Sequence, residues 1–271
     1  MNRSYLFIPG NTPAMIQQMD VFEADAIILD LEDSVLHYDK DAARVLIKNY
    51  LDQIKDHEVE LFVRLNDIDS LYFEEDIKTL HNLPLTGLVL PKASSEAVRF
   101  MAELTDHKIL PIIESPMAVL DARIIAKHPN VIGLLLGAED LTKDMGIHRT
   151  PAGREIDYPR AHVAMVCHAY GKEAVDTPWV AKDDLDGLNK DATNAKALGF
   201  TGKAVIHPNH VDCVNQVFVP SKDEILQAKR IVQKAEESVK GAFTLDGKMI
   251  DIPIIEKAKK LLLIAKRYQL L

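Results

Sequence analysis

Eight short apolar runs recur along this 271-residue chain, and no other feature restricts its fold as strongly. They occupy residues 5–8, 26–31, 61–65, 88–90, 109–113, 131–136, 173–175 and 204–206, and are rich in aliphatic and β-branched side chains. Several are apolar on consecutive positions, the mark of strands covered on both faces, as in a parallel sheet wrapped by helices. Helix signals lie between them. Thr12-Pro13 and Ser115-Pro116 each set a hydroxyl residue before a proline suited to the first helical position. The stretch 185–198 runs into Gly199, a helix-ending residue. Ser221-Lys222-Asp223-Glu224 is a capping box opening a helix to about Ser238. Eight strand–helix alternations in about 220 residues predict an α/β fold, the (β/α)8 or TIM barrel. A doubly wound open sheet is the alternative, but no Gly-x-Gly-x-x-Gly follows the first run.

The last fifty residues break this rhythm. After the Ser221 helix, the alternating residues around Asp246-Gly247, within a segment from Gly241 to Asp251, read as a two-residue hairpin. A closing helix is expected from about Pro253 to Tyr268. The chain therefore divides into a barrel over 1–220 and a helix–hairpin–helix arm over 221–271. The 41 Asp and Glu exceed the 32 Lys and Arg, a formal net charge of −9. That balance argues against nucleic acid and anionic membranes as partners. Cys167 and Cys213 are too few for a disulfide framework. No apolar run has the length of a membrane span or signal peptide, so a cytoplasmic protein is expected.

Barrel chemistry sits where the strands end. The runs here end in Pro9-Gly10-Asn11, Asp30-Leu31-Glu32-Asp33, Arg64 with Asn66, Pro91-Lys92, Glu114-Ser115, Gly137-Ala138-Glu139-Asp140, Asp176 and His207-Pro208-Asn209. Carboxylates that converge in a partly dry pocket repel one another unless a cation joins them. Mg²⁺ takes oxygen ligands, often one or two carboxylates with water and substrate. Glu114 and Asp140, on neighbouring strands, are the natural pair; a rim salt bridge or helix cap is the bland alternative. Arg64 reads equally as an ion-pair partner of Asp30 or Glu32, Lys92 as a solvated rim residue and Arg3 as a surface charge. His207 and His210 share helical spacing, but Mg²⁺ prefers oxygen. His162 and His168 read as helix residues, and Asp176 as a brace for the pocket.

These motifs also resemble a known family. Arg3-Ser4-Tyr5-Leu6-Phe7-Ile8-Pro9-Gly10 and Ala24-Asp25-Ala26-Ile27-Ile28-Leu29-Asp30-Leu31-Glu32-Asp33-Ser34-Val35 are similar to the opening of the citrate lyase β-subunit family, within the malyl-CoA lyase and HpcH/HpaI aldolase superfamily. The likeness continues through Val63-Arg64-Leu65-Asn66, Leu90-Pro91-Lys92, Ile113-Glu114-Ser115-Pro116, Leu136-Gly137-Ala138-Glu139-Asp140, Leu198-Gly199-Phe200-Thr201-Gly202-Lys203 and Gly247-Lys248-Met249-Ile250-Asp251.

The resemblance implies an oxo-acid lyase, a (β/α)8 barrel assembled as a homotrimer or hexamer. It implies Mg²⁺ held by Glu114 and Asp140, with Glu32 and Asp33 fixing waters on the ion. Arg64 would contact the reacting oxygens, and Arg3 and Lys92 would meet the CoA thioester. Asp251 would reach the active site of the adjacent subunit as the acid, and Glu32 is a candidate base. The implied reaction is retro-Claisen-type cleavage of a 3-hydroxyacyl-CoA, citramalyl-CoA or malyl-CoA, to acetyl-CoA and a 2-oxo acid. The alternatives are a citryl-thioester lyase subunit working on an acyl-carrier protein, a non-catalytic barrel scaffold, and a pyruvate-releasing aldolase. The last lacks a matching histidine base after the second strand.

Overall fold

The computed structural model describes residues 2–53, 59–237 and 242–271. The expected helix end at Ser238 and the start of the hairpin segment at Gly241 lie outside the described residues. The chain forms two compact units, Met1–Gln216 and Val217–Leu271.

In the first unit, strands β1 (Ser4–Pro9), β2 (Ala26–Asp30), β3 (Glu60–Arg64), β4 (Gly87–Leu90), β5 (Lys108–Ile113), β6 (Gly133–Leu136), β7 (Glu173–Asp176) and β8 (Gly202–Val205) pair in sequence order into a closed parallel barrel. Pairing of β1 with β8 closes it, with Ser4 opposite Lys203. The intervening helices are α1 (Pro13–Gln17), α2 (Lys40–Gln53), α3 (Phe73–Leu80), α4 (Ser95–Leu104), α5 (Pro116–Lys127), α6 (Ala138–Asp144), α7 (Asp157–Tyr170), α8 (Leu185–Leu198) and α9 (Val211–Val217).

The consecutive apolarity of the runs has a direct structural cause. Tyr5, Ala26, Ile28, Phe62, Val89, Leu110, Ile112, Leu135, Val175 and Ala204 fill the barrel interior. The intervening Ile27 and Leu29 on β2 are also fully buried, because alternate residues face the helices. Each aliphatic side chain removed from water contributes about 1.5–3 kcal/mol.

The capping signals resolve differently. The Ser115 hydroxyl accepts from the Ala118 N–H at 3.1 Å. Gly199 ends α8 with φ 105°. Thr12 precedes Pro13 as expected but makes no side-chain cap, so proline alone sets that start. His207 caps the 3-10 turn Pro208–His210, and its three-residue spacing from His210 brings the two ring centres to 5.9 Å. Buried His210 donates through Nε2 to the Lys182 carbonyl at 2.8 Å.

The second unit contains α10 (Lys222–Glu237), strands β9 (Phe243–Leu245) and β10 (Lys248–Ile250), and α11 (Ile252–Arg267). The capping box is reciprocal: Ser221 N–H donates to Glu224 at 2.8 Å and Glu224 N–H to Ser221 Oγ at 3.2 Å. Asp246 and Gly247 both have positive φ, 52° and 78°, the conformation of a type I′ turn. Ala228, Ile231, Ile250 and Ala258 form this unit's own core.

Candidate active site

A cavity of about 420 Å³ opens at the carboxyl ends of the strands. Its walls include Phe7, Asp30, Asp33, Arg64, Ile112, Glu114, Leu135, Gly137, Ala138, Asp140, Thr177, Val180 and Ile206. Every strand except β4 supplies a residue from its carboxyl end or from the loop that follows, as parallel barrel closure requires.

Arg64, the last residue of β3, is the best-anchored cation here. Its Nε and Nη2 each donate to Asp30 at 2.7 Å, a bidentate fork. Its Nη1 lies 2.8 Å from Glu32 and 3.5 Å from Asp33. The guanidinium carbon lies 5.1 Å from the centre of the Phe7 ring, a cation–π contact. Arg64 is therefore an ion-pair partner of Asp30 and Glu32, and it also lines the cavity. A guanidinium has five N–H donors, so the Asp30 fork leaves others for a ligand. Asp30 also organises the turn after β2, accepting from the Glu32 N–H at 2.8 Å and the Ser34 hydroxyl at 2.5 Å. Burial alone would lift the Asp30 carboxyl. The Arg64 charge and these hydrogen bonds overcome it and hold the group below the usual carboxylate range.

Glu32 and Glu114 behave oppositely. Burial, aided by neighbouring Asp33, Glu114 and Asp30, lifts Glu32 to about 7 against the pull of Arg64. Burial lifts Glu114 to about 7 as well, with Asp140 adding to the rise and the Lys92 N–H opposing it. That N–H donates directly to Glu114 Oε1. Lys92 has a left-handed backbone, φ 46°, which costs a non-glycine residue roughly 1–2 kcal/mol. The strain aims its amide at Glu114. On the other side, Gly137 leaves the space that the Glu114 side chain fills.

Asp140 belongs to the first turn of α6 rather than to the end of β6, which stops at Leu136. It is partly exposed, and among the described residues its ion partner is Lys143 at 3.5 Å. Lys92 stands at the rim, 2.8 Å from Asp67 and 3.7 Å from Glu32. Arg3 is not brought to this mouth. It precedes β1, at the amino end of the barrel, where it forks onto Asp25 at 2.7 and 2.8 Å. Asp251 lies in the second unit and caps α11, accepting from the Ile254 N–H at 3.3 Å. Among the described residues, no group of three or more His, Cys, Asp or Glu forms a ready-made metal cage. Glu114 and Asp140 both line the cavity, and each offers only oxygen atoms to a ligand.

Three contributors were not singled out from sequence. Lys40 ties down the loop after β2 by donating to the Leu31 and Glu32 carbonyls at 2.8 and 2.9 Å. Thr177 holds the Ala138 N–H at 3.2 Å. Gly137 makes room for Glu114. Only Gly137, inside the Leu136–Asp140 motif, carried a local signal. The expected brace at Asp176 is present: it is fully buried between Arg160 and Lys203.

A closed parallel barrel with ionisable groups and apolar walls gathered at its carboxyl mouth has the layout of a (β/α)8-barrel enzyme. The model of the HpcH/HpaI aldolase/citrate lyase family matches residues 3–208, and the chain belongs to that family. It is 34% identical to the citrate lyase subunit beta of Haemophilus influenzae, over 98% of this chain and 97% of the relative. It is 30% identical to the mitochondrial citramalyl-CoA lyase of Homo sapiens, over 97% of this chain and 85% of that protein. The structure of CitE from Mycobacterium tuberculosis in complex with magnesium, acetoacetate and coenzyme A superposes with a TM-score of 0.86 at 29% identity, covering 98% of both chains. No helix among the described residues is long and apolar enough to cross a membrane.

Proposed function

We propose that this chain is a Mg²⁺-dependent carbon–carbon lyase that cleaves a 3-hydroxyacyl-CoA thioester to acetyl-CoA and a 2-oxo acid, with citramalyl-CoA as its leading substrate and malyl-CoA next. The observation that carries the reading is the convergence of Glu114, Asp140 and the anchored Arg64 on one cavity. The donor chemistry fits the ion. Two carboxylates, one raised by burial and by the other's charge, are relieved by a hard cation whose other positions stay open to water and substrate. Glu114 and Asp140 would hold it, with Glu32 and Asp33 orienting its waters. When bound, Mg²⁺ polarises the substrate's hydroxyl and carboxylate oxygens.

The residues of the chain supply the rest. Glu32, lifted to about 7, is matched to accept the hydroxyl proton near neutral pH. As that proton leaves, the carbon–carbon bond breaks and its electrons pass into the thioester enolate. Arg64, permanently charged and held by Asp30, steadies the enolate oxygen without having to reorganise. Asp251 of an adjacent subunit, in a homotrimer or hexamer, then returns a proton to the enolate carbon. Lys92 is the rim cation suited to the CoA phosphates. The apolar wall of Phe7, Ile112, Leu135, Val180 and Ile206 suits a methyl substituent better than a further carboxylate, which favours citramalyl-CoA over a citryl thioester.

A second reading, a citryl-thioester lyase subunit served by an acyl-carrier protein, is favoured by the higher identity to citrate lyase subunit beta. The deciding experiment incubates the protein and Mg²⁺ with citramalyl-CoA, malyl-CoA, citryl-CoA and carrier-bound citryl thioester, and follows acetyl thioester release. Cleavage of citramalyl-CoA is expected to dominate. Turnover of the carrier-bound citryl substrate alone would select the second reading, and no turnover of any would leave the scaffold.

A further inference from the structure

Behind β7 and β8 lies a buried ionic quartet. Lys203 on β8 is fully buried, and its Nζ donates to Asp176 at 2.6 Å, Asp191 at 2.5 Å and the Thr177 carbonyl at 2.6 Å. Arg160 of α7 reaches Asp176 at 2.9 and 3.0 Å and Asp191 at 2.7 Å. Two cations balance two anions, so no buried charge is left uncompensated. One consequence is that the main chain of Thr177, the residue following β7, is held in place from behind.

Thr177 also belongs to the wall of the cavity. The residue is fully buried from solvent and lines the cavity shared by Glu114 and Asp140. Its Oγ1 accepts from the Ala138 N–H at 3.2 Å. That bond uses a lone pair and leaves the hydroxyl proton, which has no acceptor among the described residues. A hydroxyl can donate one bond as well as accept, and among the described residues this one only accepts. A donor without an acceptor, on the wall of a cavity built for ligand, marks a contact that the ligand completes.

We propose that the Thr177 hydroxyl is a substrate-binding donor that takes a carboxylate oxygen of the 2-hydroxy-acid or 2-oxo-acid part of the ligand. This rests on the lyase reading of the cavity. A carboxylate fits for two reasons. It is acceptor-only, so it makes a charge-assisted bond with a hydroxyl. It is also the group that would share the cation with Asp140, two residues from Ala138. The Ala138 N–H, by donating to Oγ1, polarises the hydroxyl and strengthens its donation. The Arg64 fork is already committed to Asp30, so a neutral donor at Thr177 complements it.

The test measures pyruvate, acetyl-CoA and Mg²⁺ binding by titration calorimetry in the full-length protein. It compares the wild type with Thr177→Val, which keeps the shape but loses the hydroxyl, and Thr177→Ser, which keeps the hydroxyl. Thr177→Val should weaken pyruvate binding in the presence of Mg²⁺ by about 10- to 100-fold, the range of a hydrogen bond to a charged group. Its affinities for acetyl-CoA and for Mg²⁺ alone should stay within about two-fold of wild type, and Thr177→Ser should bind pyruvate within about three-fold. Should Thr177→Val fail to fold by circular dichroism, Thr177→Cys, a weak donor of similar size, must show the same selective loss. Wild-type pyruvate affinity in Thr177→Val would overturn the assignment. So would an equal loss of Mg²⁺ affinity, which would mean that Thr177 acts through α6 and Asp140. A wild-type protein that neither cleaves a thioester nor binds pyruvate defeats the lyase reading, and Thr177 falls with it. A wild type that cleaves, beside an unimpaired Thr177→Val, defeats Thr177 alone.

Discussion

A β-carbon placed on Gly137 would stand 2.6 Å from both Cβ and Oε2 of Glu114. The glycine is therefore part of the acid pair's geometry: its missing side chain is the volume that the Glu114 carboxylate occupies. Ile112 Cγ2, at 2.8 Å from the same point, closes the other escape. Gly137→Ala should keep the barrel but push Glu114 off its position, destabilising the protein by about 1–3 kcal/mol, the usual range for overpacking. Calorimetric titration should show Mg²⁺ affinity reduced by at least about ten-fold, because metal sites tolerate little displacement of a ligand. Unchanged affinity would mean that Glu114 is not a ligand.

The Arg64–Asp30 fork makes a second, separable prediction. Lysine carries the same charge but cannot make two parallel N–H bonds to one carboxylate. Arg64→Lys would leave part of buried Asp30 without a partner and loosen the donor proposed to meet the developing enolate. Thioester cleavage should fall by about 10²–10³ in kcat/KM, the size of a lost oxyanion donor, with a lower melting temperature. A variant within about five-fold of wild type would remove Arg64 from the chemistry and leave it a structural ion pair.

The sequence carries the position of most residues at this mouth. The eight runs mark all eight strands, since residues buried on two faces must be apolar continuously. The acids and Arg64 were legible because barrel strand ends converge by topology alone. Asp140 reads from the sequence as a strand-end residue because the apolar run before it gives no sign of where the strand yields to the helix. Lys40, Thr177 and Arg3 depend on tertiary geometry. Thr177 meets Ala138 across 39 positions of sequence, and no periodicity records such a pairing. Arg3 looked like a ligand contact by motif, yet its pairing with Asp25, 22 residues away, fixes it at the amino end of the barrel.

The two raised carboxyls give the pH dependence a definite sign. Glu32 and Glu114 lie near 7 in the folded protein against an ordinary value of 4.5. Below 4.5 both groups are protonated folded or unfolded, and neither contributes. Between 4.5 and 7 the unfolded chain ionises first, so the metal-free fold loses stability as pH rises, and above 7 the penalty is constant. On the proposed assignment Mg²⁺ would bind the ionised form and offset that penalty. The rise in melting temperature on adding Mg²⁺ should be small at about pH 5.5 and large at about pH 8.5. Glu114→Gln should flatten this response. Equal Mg²⁺ stabilisation at both pH values in the wild type would detach the ion from these carboxylates.

Asp251 has a structural task of its own as the cap of α11, so its chemistry must be tested with the cap preserved. Asparagine caps helices as well as aspartate does, whereas alanine would cost about 1 kcal/mol. Asp251→Asn should fold like the wild type and lose most thioester cleavage. If Asp251 serves the site of a neighbouring subunit, it can be supplied by a different chain from the one that supplies Arg64. Mixing inactive Asp251→Asn with inactive Arg64→Ala in equal amounts, with subunit exchange, then pairs an intact Arg64 with an intact Asp251 in about one-quarter of the sites of a closed ring. Activity should return to about a quarter of the wild-type value per site. If both residues of a site come from one chain, every site in the mixture lacks one of them, and no activity returns however completely the subunits exchange.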